Sequence, residues 1–376
     1  MPVSTAAHTE KSTELAGRGA RIALDRLTKR YGEFVAVDEV SLTIEPGEFM
    51  TLLGPSGSGK TTTLNAIAGF VAPTSGSLRL DGEAIEALPP HRRDIGMVFQ
   101  HYALFPHMTV AENIAYPLKR RKVAKDRRKE LVAAALETVR LGEYGHRYPR
   151  ELSGGQQQRV AVARAIVYSP RVLLMDEPLG ALDKKLRDWL QLEIKRIHAE
   201  LGTTFVYVTH DQDEALVLSD RIAVFNNGRI EQVGGASDLY ERPETLFVAK
   251  FLGESTVLRG PADNGTVGKA GRSLATTGSL TGAAALVIRP ERLAVAEAGA
   301  RPEPGRNALP ATVVREIYLG SARKLELRLP DGGEALVREP AGGVSAARPG
   351  DEVTLTWRVE DAVLLPDDPD VETVLT

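Results

Sequence analysis

Hydrophobic residues follow one pattern before residue 260 and another after it. From Arg21 to about Val233, apolar runs such as RIALDRLT, RVLLMD and TTFVYVTH alternate with segments of helical spacing. The helical segments include Lys60–Gly69, Asp126–Leu141 and Leu182–Leu201. Continuous apolar runs are typical of buried parallel strands. The pattern therefore predicts an α/β unit with a central, largely parallel sheet, in which SLTIEPGEFMTLLG and DIGMVFQ supply further strands.

After residue 260 the helical spacing disappears. Residues 260–285 are rich in Gly, Ala and Thr and contain no aromatic residue, which indicates a loop or short, weakly specified strands. Short alternating segments follow, among them ALVIRPERLAV, LPATVVREIYL and DEVTLTW. They predict a small all-β barrel or sandwich of ~100 residues. The preceding segment DLYERPETLFVAKFLGE predicts a pair of linking helices.

These patterns define the expected domains. The chain has 376 residues, which agrees with two or three domains at ~150 residues each. Residues 1–20 are polar and lack the apolar core of a signal peptide, so we expect a disordered tail. The α/β domain is expected at 21–240, and the linking helices with the β domain at 241–376.

Composition excludes several classes of protein. A hydrophobic content of 43% and a charged content of 26% are typical of a globular chain, and a net charge of −3 argues against nucleic-acid binding. The absence of cysteine excludes disulfides and thiolate metal sites. No apolar run approaches the ~20 residues that span a bilayer. Any work at a membrane is therefore expected to go through a partner.

The segment GPSGSGKTT is the first candidate site. Gly54, Gly59, Lys60 and Thr61 match the phosphate-binding pattern G-x-x-x-x-G-K-[ST], which follows a strand and precedes a helix here as the motif requires. Lys60 would neutralise the β- and γ-phosphates of a nucleotide, and Thr61 would hold Mg²⁺. The alternative is an ordinary glycine-rich turn.

The segment VLLMDEP supplies two carboxylates. Asp176, at the end of a buried strand, suits the Mg²⁺ shell, and Glu177 could act as the base for an attacking water. The alternative for Glu177 is a charge at a helix start.

Three further candidates are weak when taken alone. Gln100 could bind Mg²⁺ or orient water, or it could be a solvated loop residue. His210 ends a strand at the edge where such sheets bind ligands, but it could equally be a packed histidine. Tyr31 could stack on an adenine ring, or be a buried core tyrosine.

The segment LSGGQQQRVAVARAI looks like a second phosphate cradle. Ser153 is suited to cap a helix whose apolar face carries Val160, Ala163 and Val167. Two glycines weaken a helix start by up to ~1 kcal/mol each. A cap alone does not need them, so something else must require close approach to the backbone.

Together these motifs resemble those of the ATP-binding subunits of ABC transporters, over residues 21 to about 240. GPSGSGKT resembles their Walker A motif, VLLMDE their Walker B motif with its catalytic glutamate, LSGGQ their signature, and GALD (Gly180–Asp183) their D-loop. Gln100 corresponds to the Q-loop, His210 to the switch histidine and Tyr31 to the adenine-stacking residue. The resemblance implies a P-loop ABC-type ATPase domain with a helical subdomain at about 101–165.

The resemblance also implies a head-to-tail homodimer with each ATP between the Walker A motif of one subunit and the signature of the other. Glu177, His210 and Gln100 would be catalytic, and Thr61, Gln100 and Asp176 would bind Mg²⁺. The expected ATP-binding residues of one chain are Tyr31, Gly54, Ser56, Gly57, Ser58, Gly59, Lys60, Thr61 and Thr62. Those expected to act on the ATP of the other chain are Ser153, Gly154, Gly155, Gln156 and Asp183.

Two surface segments have open interpretations. In the family the region of HYALFPHMTVAEN, with Tyr102, Leu104, Phe105, Pro106 and Met108, contacts a cytoplasmic helix of the membrane subunit; local packing of the helical subdomain is the alternative. The basic run Lys119–Lys129 is interpreted as a solvated face, with lipid headgroups as the alternative.

The C-terminal segments IRPERLAV and GDEVTLTWRVEDAVLLP resemble the OB-type TOBE regulatory domain of ATPases from bacterial solute importers. The stretch from PLGALDKK to HDQDEAL resembles importers of spermidine and putrescine, with ferric iron, sulfate and sugar importers as alternatives. The implied partners are two integral-membrane permease subunits and, indirectly, a solute-binding protein, at the cytoplasmic face of the bacterial plasma membrane. A soluble ABC ATPase for DNA repair or translation, and a P-loop kinase or GTPase, are the competing classes.

Overall fold

The structure is a computed structural model that describes residues 19–180, 183–342, 345–369 and 371. Contacts within the chain divide it into two units, Met1–Ala236 and Ser237–Thr376. No helix in the described ranges is long and apolar enough to cross a membrane.

Within the described residues of the first unit, ten strands form two sheets. Their bounds are β1 Ile22–Tyr31, β2 Phe34–Ile44, β3 Phe49–Leu53, β4 Ser75–Leu80, β5 Glu83–Ala84, β6 Ile95–Val98, β7 Val172–Asp176, β8 Thr204–Thr209, β9 Arg221–Asn226 and β10 Arg229–Gly234. One sheet has six strands in the order β10-β9-β3-β8-β7-β6. All its neighbours are parallel except the pair β9–β10, so the predicted largely parallel sheet is confirmed.

The other sheet, with the order β2-β1-β4-β5, is antiparallel and was not predicted. The segment SLTIEPGEFMTLLG contributes to both sheets, because it breaks between Ile44 and Phe49. Pro46 has no N–H for a ladder, and Gly47 has a φ of +77°. The chain therefore turns at this point and passes from one sheet to the other.

In the part of this unit that the structure describes there are six α-helices, and two short ones follow. Their bounds are α1 Lys60–Ala68, α2 Val110–Arg120, α3 Lys125–Thr138, α4 Gly154–Ile166, α5 Lys184–Leu201, α6 Gln212–Leu218, α7 Ala236–Glu241 and α8 Leu246–Phe251. The helices α1, α3 and α5 lie where the spacing predicts them. The short pair α7 and α8 corresponds to the predicted linking helices.

The six-stranded sheet separates two hydrophobic clusters. Phe205 and Tyr207 of β8 pack with the residues of α2 to α5, whereas Val206 and Val208 pack with β1, β2 and α1. Successive side chains of a strand point to opposite faces, so an all-apolar strand is needed to bury both. This burial fixes the carboxyl ends of β7 and β8, where the candidate residues lie.

The expected disordered tail is wrong for its last two residues. Gly19 donates its N–H to the Gly202 carbonyl at 3.1 Å, and Ala20 is fully buried. A side chain at Gly19 would come within 2.2 Å of the Gly47 nitrogen, so glycine permits this approach. Residues 1–18 lie outside the described residues.

The described residues of the second unit form two antiparallel five-stranded sheets. Their strands are β11 Thr256–Asp263, β12 Thr266–Lys269, β13 Arg272–Ala275, β14 Gly282–Ile288, β15 Ala294–Glu297, β16 Arg306–Tyr318, β17 Ala322–Arg328, β18 Glu334–Pro340, β19 Glu352–Arg358 and β20 Ala362–Pro366. The orders are β13-β12-β11-β14-β20 and β15-β19-β16-β17-β18. Their shared core surrounds the fully buried Trp357. Residues 260–285 form short strands, the second of the two expected outcomes.

Candidate active site

In the loop between β3 and α1, two glycines lie so close to the backbone of other segments that no side chain would fit. Gly59 has a φ of +101°, and a Cβ there would lie 2.4 Å from the Ala36 carbonyl oxygen. A Cβ at Gly54 would lie 2.3 Å from the carbonyl oxygen of Phe225. No side chain caps the first N–H groups of helix α1, an arrangement that suits an anion.

Lys60 brings a positive charge to this loop. The side chain is buried, and its ammonium donates to the carbonyls of Gly54 and Pro55, each at 2.8 Å. Burial lowers the pKa of Lys60, while the nearby carboxylates of Glu177 and Asp176 oppose that change. The charge is thus held against the backbone of the loop, within electrostatic reach of the two acids.

Asp176 and Thr61 meet at the end of β7. The Thr61 hydroxyl donates to Asp176 Oδ1 at 3.1 Å. Burial raises the pKa of Asp176, and the hydrogen bond from Thr61 opposes the rise. A hydroxyl and a carboxylate are oxygen donors that Mg²⁺ prefers, so the pair fits that ion. Within the described ranges no group of three or more His, Cys, Asp or Glu side chains is suited to a metal.

Glu177 is contacted by the other two predicted catalytic residues. Gln100 Nε2 donates to Glu177 Oε2 at 3.4 Å, and His210 Nδ1 lies 3.3 Å from the same oxygen. Glu177 has a φ of +42°, and its N–H donates to the Val208 carbonyl at 3.0 Å. A left-handed backbone at a non-glycine residue costs about 1–3 kcal/mol and is found at functional sites.

The remaining loop residues differ in exposure. Ser58 is buried, Thr62 is partly buried, and Ser56 and Gly57 are exposed. Gly57 has a φ of +80°, which glycine tolerates. Tyr31 is half exposed at the end of β1, so it is not the buried core tyrosine of the alternative interpretation. Its ring lies 4.9 Å from the Lys29 ammonium.

The signature segment forms the start of α4. The Ser153 N–H donates to Gln156 Oε1 at 2.9 Å, and the Gln156 N–H donates to Ser153 Oγ at 3.4 Å, which is a capping box. Gly154 opens the helix, and Gly155 packs against Leu186. Within the described residues, none of these hydrogen bonds reaches Lys60 or Glu177. One chain therefore does not bring the signature to its own phosphate loop by direct bonding.

Asp183 also has a local role. Its carboxylate accepts the Leu186 N–H at 3.0 Å and caps α5. Two other residues of the GALD segment, Ala181 and Leu182, lie outside the described residues.

The segment after Gln100 makes a contact that no sequence motif indicates. Tyr102 and Ala103 have φ values of +60° and +45°. The guanidinium of Arg164, on α4, donates to both of their carbonyls at 2.7 Å. Arg164 falls in a helix with regularly spaced polar residues, so no local signal distinguishes it from a solvated arginine. The contact joins the signature helix to the segment after Gln100.

The basic run ends α2 and starts α3. Arg121 pairs with Asp94 at 3.5 Å and lies 4.0 Å above the Tyr168 ring, while Arg127 pairs with Glu130 at 3.0 Å. Most of the run is exposed. These contacts favour a solvated face.

Comparisons with known proteins agree with this geometry. Residues 37–180 match the family model described as ABC transporter, and residues 286–365 match the TOBE domain. The spermidine/putrescine import ATP-binding protein PotA of Rubrobacter xylanophilus is 46% identical over 93% of this chain and 94% of that protein. The Escherichia coli protein YdcT, named as an uncharacterized ABC transporter ATP-binding protein, is 46% identical over 89% of this chain and 95% of its own length.

A solved structure is also similar. It is titled as a dimeric, post-hydrolysis state of the ATP-binding cassette MJ0796 bound to ADP and Pi. The identity is 35% and the TM-score 0.52, over 57% of this chain and 98% of that chain.

The fold and site together define a P-loop ATPase domain followed by a β-rich domain. The chain belongs to the ATP-binding proteins of ABC transporters. The predicted fold class, the binding of nucleotide and the ATPase activity are therefore confirmed.

Proposed function

We propose that the chain energises the import of polyamines, spermidine and putrescine, from the cytoplasmic face of the bacterial plasma membrane. The observation that carries the ATPase part is the convergence of Gln100 and His210 on the Glu177 carboxylate. Import and solute are supported by relatives. Besides the Rubrobacter protein, the PotA of Thermobifida fusca is 48% identical over 92% of this chain. That protein is named for spermidine/putrescine import.

The proposed chemistry is attack of water on the γ-phosphate of ATP, which forms a bond from the water oxygen to phosphorus and breaks the bond between that phosphorus and the β–γ bridging oxygen, releasing ADP and inorganic phosphate. Glu177 takes a proton from the water as general base, and His210 and Gln100 hold its carboxylate in place. Lys60 offsets charge on the phosphates. When bound by Thr61, Asp176 and Gln100, Mg²⁺ would supply further positive charge for the phosphate oxygens.

We propose further that the active form is a homodimer with two shared sites. The dimeric structures of the similar cassette support this proposal. So does the exposure of Ser153 at the start of α4, with no bond to its own phosphate loop. In the dimer Ser153, Gly155 and Gln156 would contact the γ-phosphate bound by the partner chain, with Asp183 nearby.

An apolar groove suits a membrane partner. It has a volume of 380 Å³ and is lined mainly by Met97, Phe99, Ala103, Phe105, Tyr116 and Tyr168. It adjoins Gln100 and contains Arg164, so a helix bound there would contact the segment joined to the site. We propose that each of two permease subunits places a cytoplasmic helix in this groove, and that a solute-binding protein acts through them.

Transport by the assembled complex tests this function. The chain would be reconstituted in liposomes with the permease subunits and binding protein encoded beside its gene. We expect ATP-dependent uptake of labelled spermidine and putrescine, and none with Glu177→Gln. Uptake of ferric iron, sulfate or maltose instead would refute the polyamine assignment. ATP hydrolysis without uptake of any solute would favour a soluble ABC ATPase.

A further inference from the structure

His210 has an exposed side chain, yet its position relative to Glu177 matters for the site. Its imidazole is 55% exposed, so packing does little to place it. The residues on either side are fixed instead. Thr209 is buried and ends β8, while Asp211 caps α6. The imidazole is therefore placed through its neighbours in the chain.

One hydroxyl joins these two neighbours. Thr209 Oγ1 accepts the Asp211 N–H at 3.0 Å and donates to Glu214 Oε2 at 2.8 Å. Glu214 is 2% exposed, and the same oxygen accepts the Tyr207 hydroxyl at 2.8 Å. The Glu214 N–H returns to Asp211 Oδ1 at 3.2 Å. Hydrogen bonds thus connect Thr209, Asp211 and the buried Glu214 carboxylate in a closed ring, which holds the backbone on both sides of His210.

A cation connects this ring to α5. Arg187 donates to Asp211 Oδ2 at 2.7 Å, and its Nε lies 3.7 Å from Glu214 Oε1. Arg187 lies in the first turn of α5, where its own N–H donates to the Asp183 carbonyl at 2.9 Å. Movement at the start of α5 would therefore move the Arg187 guanidinium relative to the Asp211 carboxylate.

We infer that Thr209, Glu214 and Arg187 are positioning residues that hold His210 against Glu177 and connect it to the start of α5. The inference rests on the proposed roles of His210 and Glu177 in hydrolysis. The hydroxyl of Thr209 is the group that a substitution can remove with the least change in side-chain shape. Valine has nearly the same shape and lacks the hydroxyl, whereas serine keeps it.

The test compares Thr209→Val with Thr209→Ser in the full-length protein. Single-turnover hydrolysis of radiolabelled ATP allows slow rates to be measured. We expect Thr209→Val to lower the rate about tenfold, because small displacements of a catalytic group cost rate. The KM for ATP should change little, and Thr209→Ser should retain most of the rate. Arg187→Met should resemble Thr209→Val.

A second comparison distinguishes positioning from a general loss of structure. In a His210→Ala background, Thr209→Val should have no further effect, because the residue acts through the imidazole. An equal loss of rate in both backgrounds, or an unchanged rate in Thr209→Val alone, would overturn the inference. If His210→Ala itself left the rate unchanged, the proposed role of His210 would be wrong instead.

Discussion

Two helix starts in the described part of the chain, those of α1 and α4, carry glycines that suit close approach of an anion, and they differ in how their N–H groups are used. Helix α1 begins after the left-handed Gly59 with no side-chain cap. Helix α4 begins at a capping box, in which Ser153 and Gln156 bond each other's backbone N–H groups. The first start is therefore available to a ligand of the same chain. At the second start, the Ser153 and Gln156 N–H groups are bonded within the capping box, so a ligand would have to replace part of that cap.

The two helix starts also differ in the charged and polar groups that surround them. Near α1 lie a buried ammonium, two carboxylates and the Thr61 hydroxyl. At the start of α4 the described bonds are those of the capping box and of the Gln157 side-chain amide, which donates to the carbonyls of Pro149 and Leu152, and Gly155 packs on leucine side chains. We therefore propose that α1 holds the nucleotide of its own chain, and that α4 contributes to a nucleotide site only when the surface of a partner approaches.

The largest effect is expected for Glu177→Gln. Removing a general base should lower the turnover of ATP about 1000-fold. ATP binding should persist, because the phosphate loop is unchanged. The measurement is steady-state phosphate release together with nucleotide binding. Glu130→Gln, an exposed carboxylate of α3, is the matched control, and normal turnover in Glu177→Gln would remove that residue as the base.

Ser153→Arg should affect turnover but not binding. An arginine at the start of α4 blocks the surface that the partner nucleotide needs, so hydrolysis should fall about 100-fold. ATP affinity of the isolated chain, measured by calorimetry, should remain near the normal value. Ser153→Thr keeps a capping hydroxyl and serves as control. Loss of ATP binding to the monomer would contradict the assignment of this segment to the partner chain.

Lys60→Met, unlike Ser153→Arg, should weaken the binding of ATP. Losing a charged donor to the phosphates should weaken ATP affinity roughly 10- to 100-fold. Equilibrium binding of a fluorescent ATP analogue measures this change. Lys125→Met, which removes an exposed lysine of the basic run, should bind normally. Equal affinity in both variants would show that α1 is not the nucleotide site.

The smallest effect is expected for Gly155→Ala on stability. A Cβ there would lie 3.1 Å from Leu186 Cδ1, which can move because it is the end of a flexible side chain. Alanine also favours the helix by ~1 kcal/mol, so the free energy of unfolding should change by less than that amount. Gly59→Ala should be more destabilising, since its Cβ would meet the Ala36 carbonyl. Denaturant unfolding of both variants checks this difference, and equal losses would contradict it.

Part of the site follows from residue type and spacing. The strand–loop–helix geometry around Lys60 and Thr61 could be predicted because a local motif fixes the turn, whereas their roles toward phosphate and Mg²⁺ stay predictions. The parallel sheet could be predicted because β7 and β8 are apolar throughout. The antiparallel sheet could not, since it depends on a single break at Pro46 and Gly47. The contacts of Arg164 and of Thr209 join residues distant in sequence or hidden in a strand, where no local pattern marks them.

The central claim is that one chain's signature completes the other chain's nucleotide site. Because the chain contains no cysteine, single cysteines can be introduced without background. In the Glu177→Gln background, one chain would carry Ser56→Cys and another Ser153→Cys, and the two would be mixed with ATP and a short bismaleimide. We predict a covalent dimer on a denaturing gel that requires ATP and both chains. No covalent dimer in the mixture, with an internally linked monomer when both cysteines are on one chain, would contradict the account.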